Sequence, residues 1–250
     1  QNVWNISLDE NKDLKQVNLG FYGYYGGTNW LGMEKFAELY KAPLADATVD
    51  SVSVFFASVG TIDPEKEITM TMNAVAENGE PGEVMATATK KAGELQYSDD
   101  DYLATIFHFD KTVELKKGTP FFIVIGPFPN STMEESPYTA DDISIFCHRR
   151  NPGEKTTTWH YLAEEDANYQ PTGEYKWYEN SDDPLSMAIA PVISYATTST
   201  AINNRGINTT TSAHAVATYT LGGAKVQAPL RGGIYIVKYS DGTSRKMVVK

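Results

Sequence analysis

Beyond methionine, this 250-residue chain carries one sulfur-bearing side chain, Cys147. A single cysteine excludes an internal disulfide and any metal site built on several thiolates. Histidine is almost as scarce. His108, His148, His160 and His214 form neither the H-E-x-x-H helix nor a close pair, so zinc has no recognisable ligand set. No run of eighteen apolar residues exists, which removes a membrane-spanning helix. Basic residues are the minority sign, 21 against 32 acids for a net charge of −11. Such a surface repels phosphate backbones, which argues against nucleic acid as a partner. No serine sits in a G-x-S-x-G elbow. Gly20, Gly23, Gly26 and Gly27 lie among aromatics with no following Lys-Ser/Thr pair, so no phosphate-cradling loop is present.

What the chain has is 41% hydrophobic and 12% aromatic residues, enough to bury a real core. Its charge is unevenly distributed. From Ser199 onward Arg205, Lys225, Arg231, Lys238, Arg245, Lys246 and Lys250 face a single acid, Asp241. The reversal coincides with a low-complexity Thr/Ser/Ala/Asn stretch, Thr197 to Asn204, which marks a boundary between an acidic body, 1–198, and a small basic tail, 199–250. The chain opens at Gln1 with no charged-then-apolar leader, and we read it as a mature form from which an export signal has been trimmed.

Alternation with period two dominates residues 48–195. Val52, Val54 and Phe56 point one way and Ser51 and Ser53 the other, and Ile68, Met70 and Met72 alternate with Thr69, Thr71 and Asn73. Asn78-Gly79 and Pro81-Gly82 predict a reversal before Val84–Thr89. Thr105, Phe107 and Phe109 form another inward set. Phe121–Ile125 is apolar on both faces, which predicts a strand in the middle of a sheet. Ile143, Ile145 and Cys147 follow, then runs around 157–162, 175–178 and 185–193. Many short strands without long helices predict an all-β, antiparallel β-sandwich of jelly-roll type. One segment stays open: Met33, Phe36, Ala37 and Tyr40 carry the i, i+3, i+4, i+7 stripe of a short helix, yet the same residues serve as an edge strand. The tail repeats the strand pattern in miniature, over Val216–Leu221, Lys225–Gln227, Ile234–Tyr239 and Ser244–Val249, with Asp241-Gly242 as a strong hairpin signal.

In the tail, Tyr219, Leu221 and Gly223 precede Val226, Gly233 opens the strand Ile234–Val237, Asp241-Gly242 turns the chain, and Lys246 to Lys250 close it. This ordered series resembles the C-terminal sorting module of proteins exported by the type IX secretion system of Bacteroidetes. The resemblance implies a compact β element read by the secretion machinery, commonly cleaved as the cargo is attached to the cell surface or released. Gly233, Tyr235, Asp241, Gly242, Lys246 and Lys250 would then be its sorting residues. An ordinary hairpin appendage is the plainer alternative. In the body, FYGYYGGTNWLGMEKFAELY, GEPGEVMA and LSMAIAPVI resemble a jelly-roll module found near the C-termini of secreted Bacteroidetes proteases and adhesins. There it accompanies a catalytic domain; here it fills nearly the whole chain, which shifts the expectation toward binding or display.

Catalytic chemistry finds little footing. Cys147 and His148 are adjacent, and on a strand adjacent side chains point to opposite faces and form no dyad; His108 or His160 remains a geometric possibility for Cys147. No cofactor is expected. Structural calcium is a candidate, from the hard oxygen clusters Asp99-Asp100-Asp101, Asp141-Asp142 and Asp182-Asp183, although no D-x-D-x-D-G loop appears and acid runs are usually solvated. The other candidate site is aromatic. Phe21, Tyr22, Tyr24, Tyr25 and Trp30 crowd one stretch, and Trp159, Tyr161, Tyr169, Tyr175, Trp177 and Tyr178 another. Of these, Tyr22, Tyr24, Tyr25, Trp30, Trp159, Tyr161, Trp177 and Tyr178 are the candidate ligand contacts, because flat rings stack on sugar faces while neighbouring polar groups meet the hydroxyls. Core packing is the plain alternative. The resulting expectation is a non-enzymatic, exported, secreted or surface-displayed protein that binds a glycan or another surface protein. Two alternatives stand beside it: a polysaccharide or peptide hydrolase with unidentified carboxylates, and a structural subunit of the cell surface.

Overall fold

A computed structural model of the chain describes residues 14–60, 62–97, 103–128, 143–151, 153–167, 171–195, 215–220, 224–226, 234–240 and 243–248. Contacts divide the chain into two units, Gln1–Thr197 and Thr198–Lys250. The strands of the first unit are β1 (Val17–Asn18), β2 (Tyr24–Tyr25), β3 (Met33–Tyr40), β4 (Ala47–Val54), β5 (Phe56–Val59), β6 (Glu67–Val75), β7 (Pro81–Lys91), β8 (Thr105–Leu115) and β9 (Phe121–Gly126). They continue with β10 (Ile143–Ile145), β11 (Cys147–Arg149), β12 (Thr158–Glu165), β13 (Pro171–Glu179), β14 (Leu185–Met187) and β15 (Ile189–Tyr195). The second unit holds β16 (Ala215–Thr220), β17 (Lys225–Val226), β18 (Ile234–Tyr239) and β19 (Ser244–Val248).

Strand β9 is apolar on both faces because it lies inside a six-stranded sheet of order β13-β12-β3-β9-β6-β7. Its Phe121, Ile123 and Ile125 enter the main core, while Phe122 and Val124 point to the opposite face. The three-stranded sheet β15-β4-β8 and the short ladders β5–β10 and β11–β14 supply the other wall. Side chains from both walls, among them Phe36, Tyr40, Met70 and Met72 on one and Val52, Val54, Phe107 and Ile189 on the other, share one core. The body is therefore an all-β sandwich, antiparallel at the strand pairings of both sheets. Fully burying each of these large side chains contributes about 1.5–3 kcal/mol, which makes this shared interior the dominant favourable term.

The open segment is strand β3. It is bonded to β9 on one side and β12 on the other, and both of its faces are used: Phe36 and Tyr40 fill the main core, while Ala37 is fully buried on the opposite face. Two-sided pairing outweighs the helical spacing, since helix preference is a weak prior beside tertiary context. The β6–β7 reversal is also narrower than expected. Gly79 N–H donates to the Ala76 carbonyl at 2.9 Å and Ala76 N–H to the Glu80 carbonyl at 2.9 Å, with Gly79 at φ +88°. This is a three-residue loop with glycine in the left-handed position, so Pro81 and Gly82 belong to β7 and not to the turn.

The second unit is a four-stranded antiparallel sheet of order β17-β16-β18-β19. Tyr235 and Val237 are its buried residues, and the Arg245 guanidinium lies over the Tyr239 ring, 5.4 Å from its centre. Lys246 pairs with Ile236 across β18–β19. Gly233, Asp241, Gly242 and Lys250, singled out in the tail, lie outside the described residues.

Candidate functional site

Alternation along β12 and β13 sends odd and even residues to opposite faces of the six-stranded sheet. Trp159 and Tyr161 share the outer face with Tyr175 and Trp177, while Thr158 and His160 point inward. Tyr161 stands at the centre of this outer group. It is paired across the strands with Trp177 on one side and Lys35 on the other. Its ring lies 5.0 Å from that of Trp177 and stacks at 5.3 Å, nearly parallel, on Tyr175. The Lys35 amine sits 5.3 Å from the Tyr161 ring centre, within cation–π range.

Beside these rings the outer face sinks into a depression of about 360 Å³, walled by Trp177, Tyr161 and Lys35 on one bank and by Thr69, Thr71 and Asn73 of β6, with Pro81 and Val84 of β7 beyond them, on the other. That volume is at the lower end of the range for small-ligand sites, about 300–1,000 Å³. The polar bank is fixed in place. The Thr71 hydroxyl donates to Asn73 Oδ1 at 2.6 Å, and Asn73 Nδ2 donates to the Gly82 carbonyl at 2.8 Å. On the aromatic bank, the Tyr175 hydroxyl donates to Glu34 Oε1 at 2.7 Å, and this bond, with lesser help from desolvation, holds its phenol above the usual range. Trp159 has a different task. It meets Phe122 edge-on at 5.9 Å and covers the small apolar cluster of Ala37, Phe122 and Val124. Its indole Nε1 is buried without a hydrogen-bond partner among the described residues.

The remaining aromatic candidates are elsewhere. Tyr178 points to the opposite face, where it stacks on His160 at 5.9 Å and donates to Glu164, which also accepts from Lys176 at 2.7 Å. There it lines a separate cleft of about 650 Å³ with Tyr25, Met33 and Leu162. Burial lowers the His160 pKa below its usual value. Tyr24 and Tyr25 are buried, Tyr25 in the main core edge-on to Phe36 and at the floor of that cleft, so neither presents a surface ring. Tyr22 is exposed and lies 5.3 Å from the Trp30 ring, forming a pair of its own. The structure thus brings Trp159, Tyr161 and Trp177 together and separates Tyr22, Tyr24, Tyr25, Trp30 and Tyr178 from them.

Lys35, Thr69, Thr71 and Asn73 were not among the sequence candidates. The signal that locates Lys35 is its place in the segment that admits both helix and strand: as a strand it alternates with Phe36 and faces outward opposite Tyr161.

Nucleophilic chemistry gains nothing from the geometry. Cys147 is buried, its Sγ is directed at the Ile145 carbonyl at 3.6 Å, and burial pushes its thiol far above the usual range, away from the reactive thiolate. His108 faces outward from β8, and His160 Nδ1 has no partner among the described residues, so neither forms a dyad with Cys147. Asp183 is paired with Arg149, and among the described residues no group of three or more His, Cys, Asp or Glu could hold a metal ion. Asp99-Asp100-Asp101 and Asp141-Asp142 lie outside the described residues. No helix among the described residues is long and apolar enough to cross a membrane. Against models of known protein families and against curated proteins the sequence gives no match, so the outer face has to be read from its own geometry.

Proposed function

We propose that this protein is a non-enzymatic carbohydrate-binding β-sandwich that captures glycans on the outer face of its six-stranded sheet. The observation that carries this reading is the packed group of Tyr175, Tyr161 and Trp177 beside a depression whose far bank presents the Thr69 and Thr71 hydroxyls and the Asn73 amide. A sugar ring has apolar faces and a polar edge, and a half-buried aromatic shelf opposite threonine and asparagine offers a complement to both. In this reading the protein acts outside the cell, secreted or displayed on its surface. Support for export comes from the likeness of the tail to a type IX sorting module.

A glycan-array screen of the full chain tests the proposal. Trp177→Ala or Tyr161→Ala is expected to weaken binding by about thirtyfold, the roughly 2 kcal/mol typical of a central aromatic contact. Tyr178→Ala, on the opposite face, is expected to leave binding unchanged. Retained binding in both outer-face variants, or no glycan bound by the parent protein, would overturn the proposal.

A further inference from the structure

We infer that the glycan taken by this face is anionic, its rings carrying carboxylate or sulfate groups that meet Lys35; this rests on the carbohydrate reading above. The register of the sheet sets out a single cross-strand row. Trp177 lies opposite Tyr161, Tyr161 opposite Lys35, and Gly126 opposite Thr69. Because Phe36 pairs with Ile125, Lys35 is next in line with Gly126, so the row runs Trp177, Tyr161, Lys35, Gly126, Thr69 across five strands. With strands about 4.8 Å apart, it extends about 19 Å. Aromatic surface occupies one end, a hydroxyl the other, and a cation the middle, with no side chain on the glycine beyond it to fill the depression.

Charge then selects the ligand. Among the described residues lining the depression, Lys35 is the only charged one, in a protein whose net charge is −11. Three other lysines of the body are matched by carboxylates, Lys91 with Glu65, Lys116 with Asp46 and Lys176 with Glu164, while Lys15, Lys41, Lys66, Lys90, Lys111, Lys117 and Lys155 form no ion pair among the described residues; what sets Lys35 apart is its place in the lining of the depression. Lys35 forms no ion pair among the described residues and instead leans over Tyr161. Neither acid of its own strand forms an ion pair with it. Glu34 accepts the Tyr175 hydroxyl, and Glu38 faces the core, where it accepts from Met187 N–H and the Thr157 hydroxyl. A neutral glycan meets this ammonium only through hydroxyl and ring oxygens, whereas an anionic one brings a charged acceptor to it and gains the stronger bond between opposite charges while its rings lie on Tyr161 and Trp177.

The test is binding of the full chain to polygalacturonate and to a sulfated galactan, each against its uncharged counterpart, fully methyl-esterified or desulfated, at low and at high salt. At least one acidic polymer is expected to bind about tenfold more tightly than its counterpart, as one hydrogen bond to a charged group provides. High salt is expected to narrow that ratio. Lys35→Gln should abolish it and Lys35→Arg preserve it, with thermal melts showing both variants folded. Should Lys35→Gln fail to fold, the comparison of charged with uncharged polymer on the parent protein still decides. Equal binding of charged and uncharged forms would overturn this inference and leave the carbohydrate reading standing. Binding of neither acidic polymer would also overturn this inference, while the carbohydrate reading stands or falls on the glycan-array screen.

Discussion

Glu38 shows how one residue can be out of character with its surroundings and still hold them together. It is fully buried on the core side of β3. One carboxylate oxygen accepts from Met187 N–H at 2.9 Å and the other from the Thr157 hydroxyl. Thr157 also shares a 2.8 Å hydrogen bond with Ser186, which accepts from Arg150 at 2.7 Å, so a polar chain runs from the Arg150 guanidinium to the interior carboxylate. It ties β3 and β12 of one wall to the β14 segment of the other. Glu38→Leu would leave the Met187 N–H buried and unpaired, at a cost of about 1–3 kcal/mol, whereas Glu38→Gln keeps an acceptor for it and is expected to cost less. Urea unfolding of the two variants checks the order; equal losses would mean that Glu38 acts through packing alone. None of this is readable in the sequence, where Glu38 is one acid among 32 and its neighbours lie some 120 to 150 positions away.

Elements whose two faces carry distinct chemistry could be placed from sequence, and elements defined by partners could not. Ile68, Met70 and Met72 alternate cleanly with polar residues and all three are fully buried, as period two requires; Phe121–Ile125 is the central strand that its two apolar faces predict. The segment 33–40 was ambiguous because its outer face is itself partly apolar, with Ala37 and Leu39 packing under Trp159 and Trp177. The outer-face site inherits that ambiguity, since Lys35 aligns with Tyr161 only once β3 is a strand in this register. Close backbone approach was equally hidden. Gly27 forms an isolated bridge with Ser144, and a Cβ placed on it would come 2.1 Å from the Ile143 carbonyl oxygen and 2.7 Å from Ser144 Cα. Backbone, unlike the tip of a flexible side chain, has nowhere to move. Gly27→Ala is expected to cost about 2 kcal/mol or more by forcing β10 away, lowering the thermal midpoint by about 4–8 °C for a body of this size. A melt within 1 °C of the parent would show that the bridge yields freely.

At the scale of the whole chain, the charge reversal near Ser199 falls beside the division between units at Thr197/Thr198. The two units differ in how much interior each commands. Every member of the main core belongs to Leu14–Ile193, and the cluster under Trp159 draws only on β3, β6, β9, β12 and β13. The tail's described buried residues are Tyr235 and Val237. A four-stranded sheet whose described interior is two side chains is marginal by itself, because the fraction of surface buried falls with domain size while the backbone entropy cost per residue stays at about 1–2 kcal/mol. Removing 199–250 is therefore expected to leave the calorimetric transition of the body within about 2 °C of its position in the full chain, a change worth under about 1 kcal/mol. The isolated tail is expected to give no cooperative transition of its own. A body that loses its transition on truncation would place part of its stabilising interior in the tail. A tail that melts cooperatively alone would show that a sheet this small gains order from packing beyond the two side chains named. A tail that is thermodynamically separate can be lost without disturbing the fold of the body, and the calorimetric comparison measures that separateness directly.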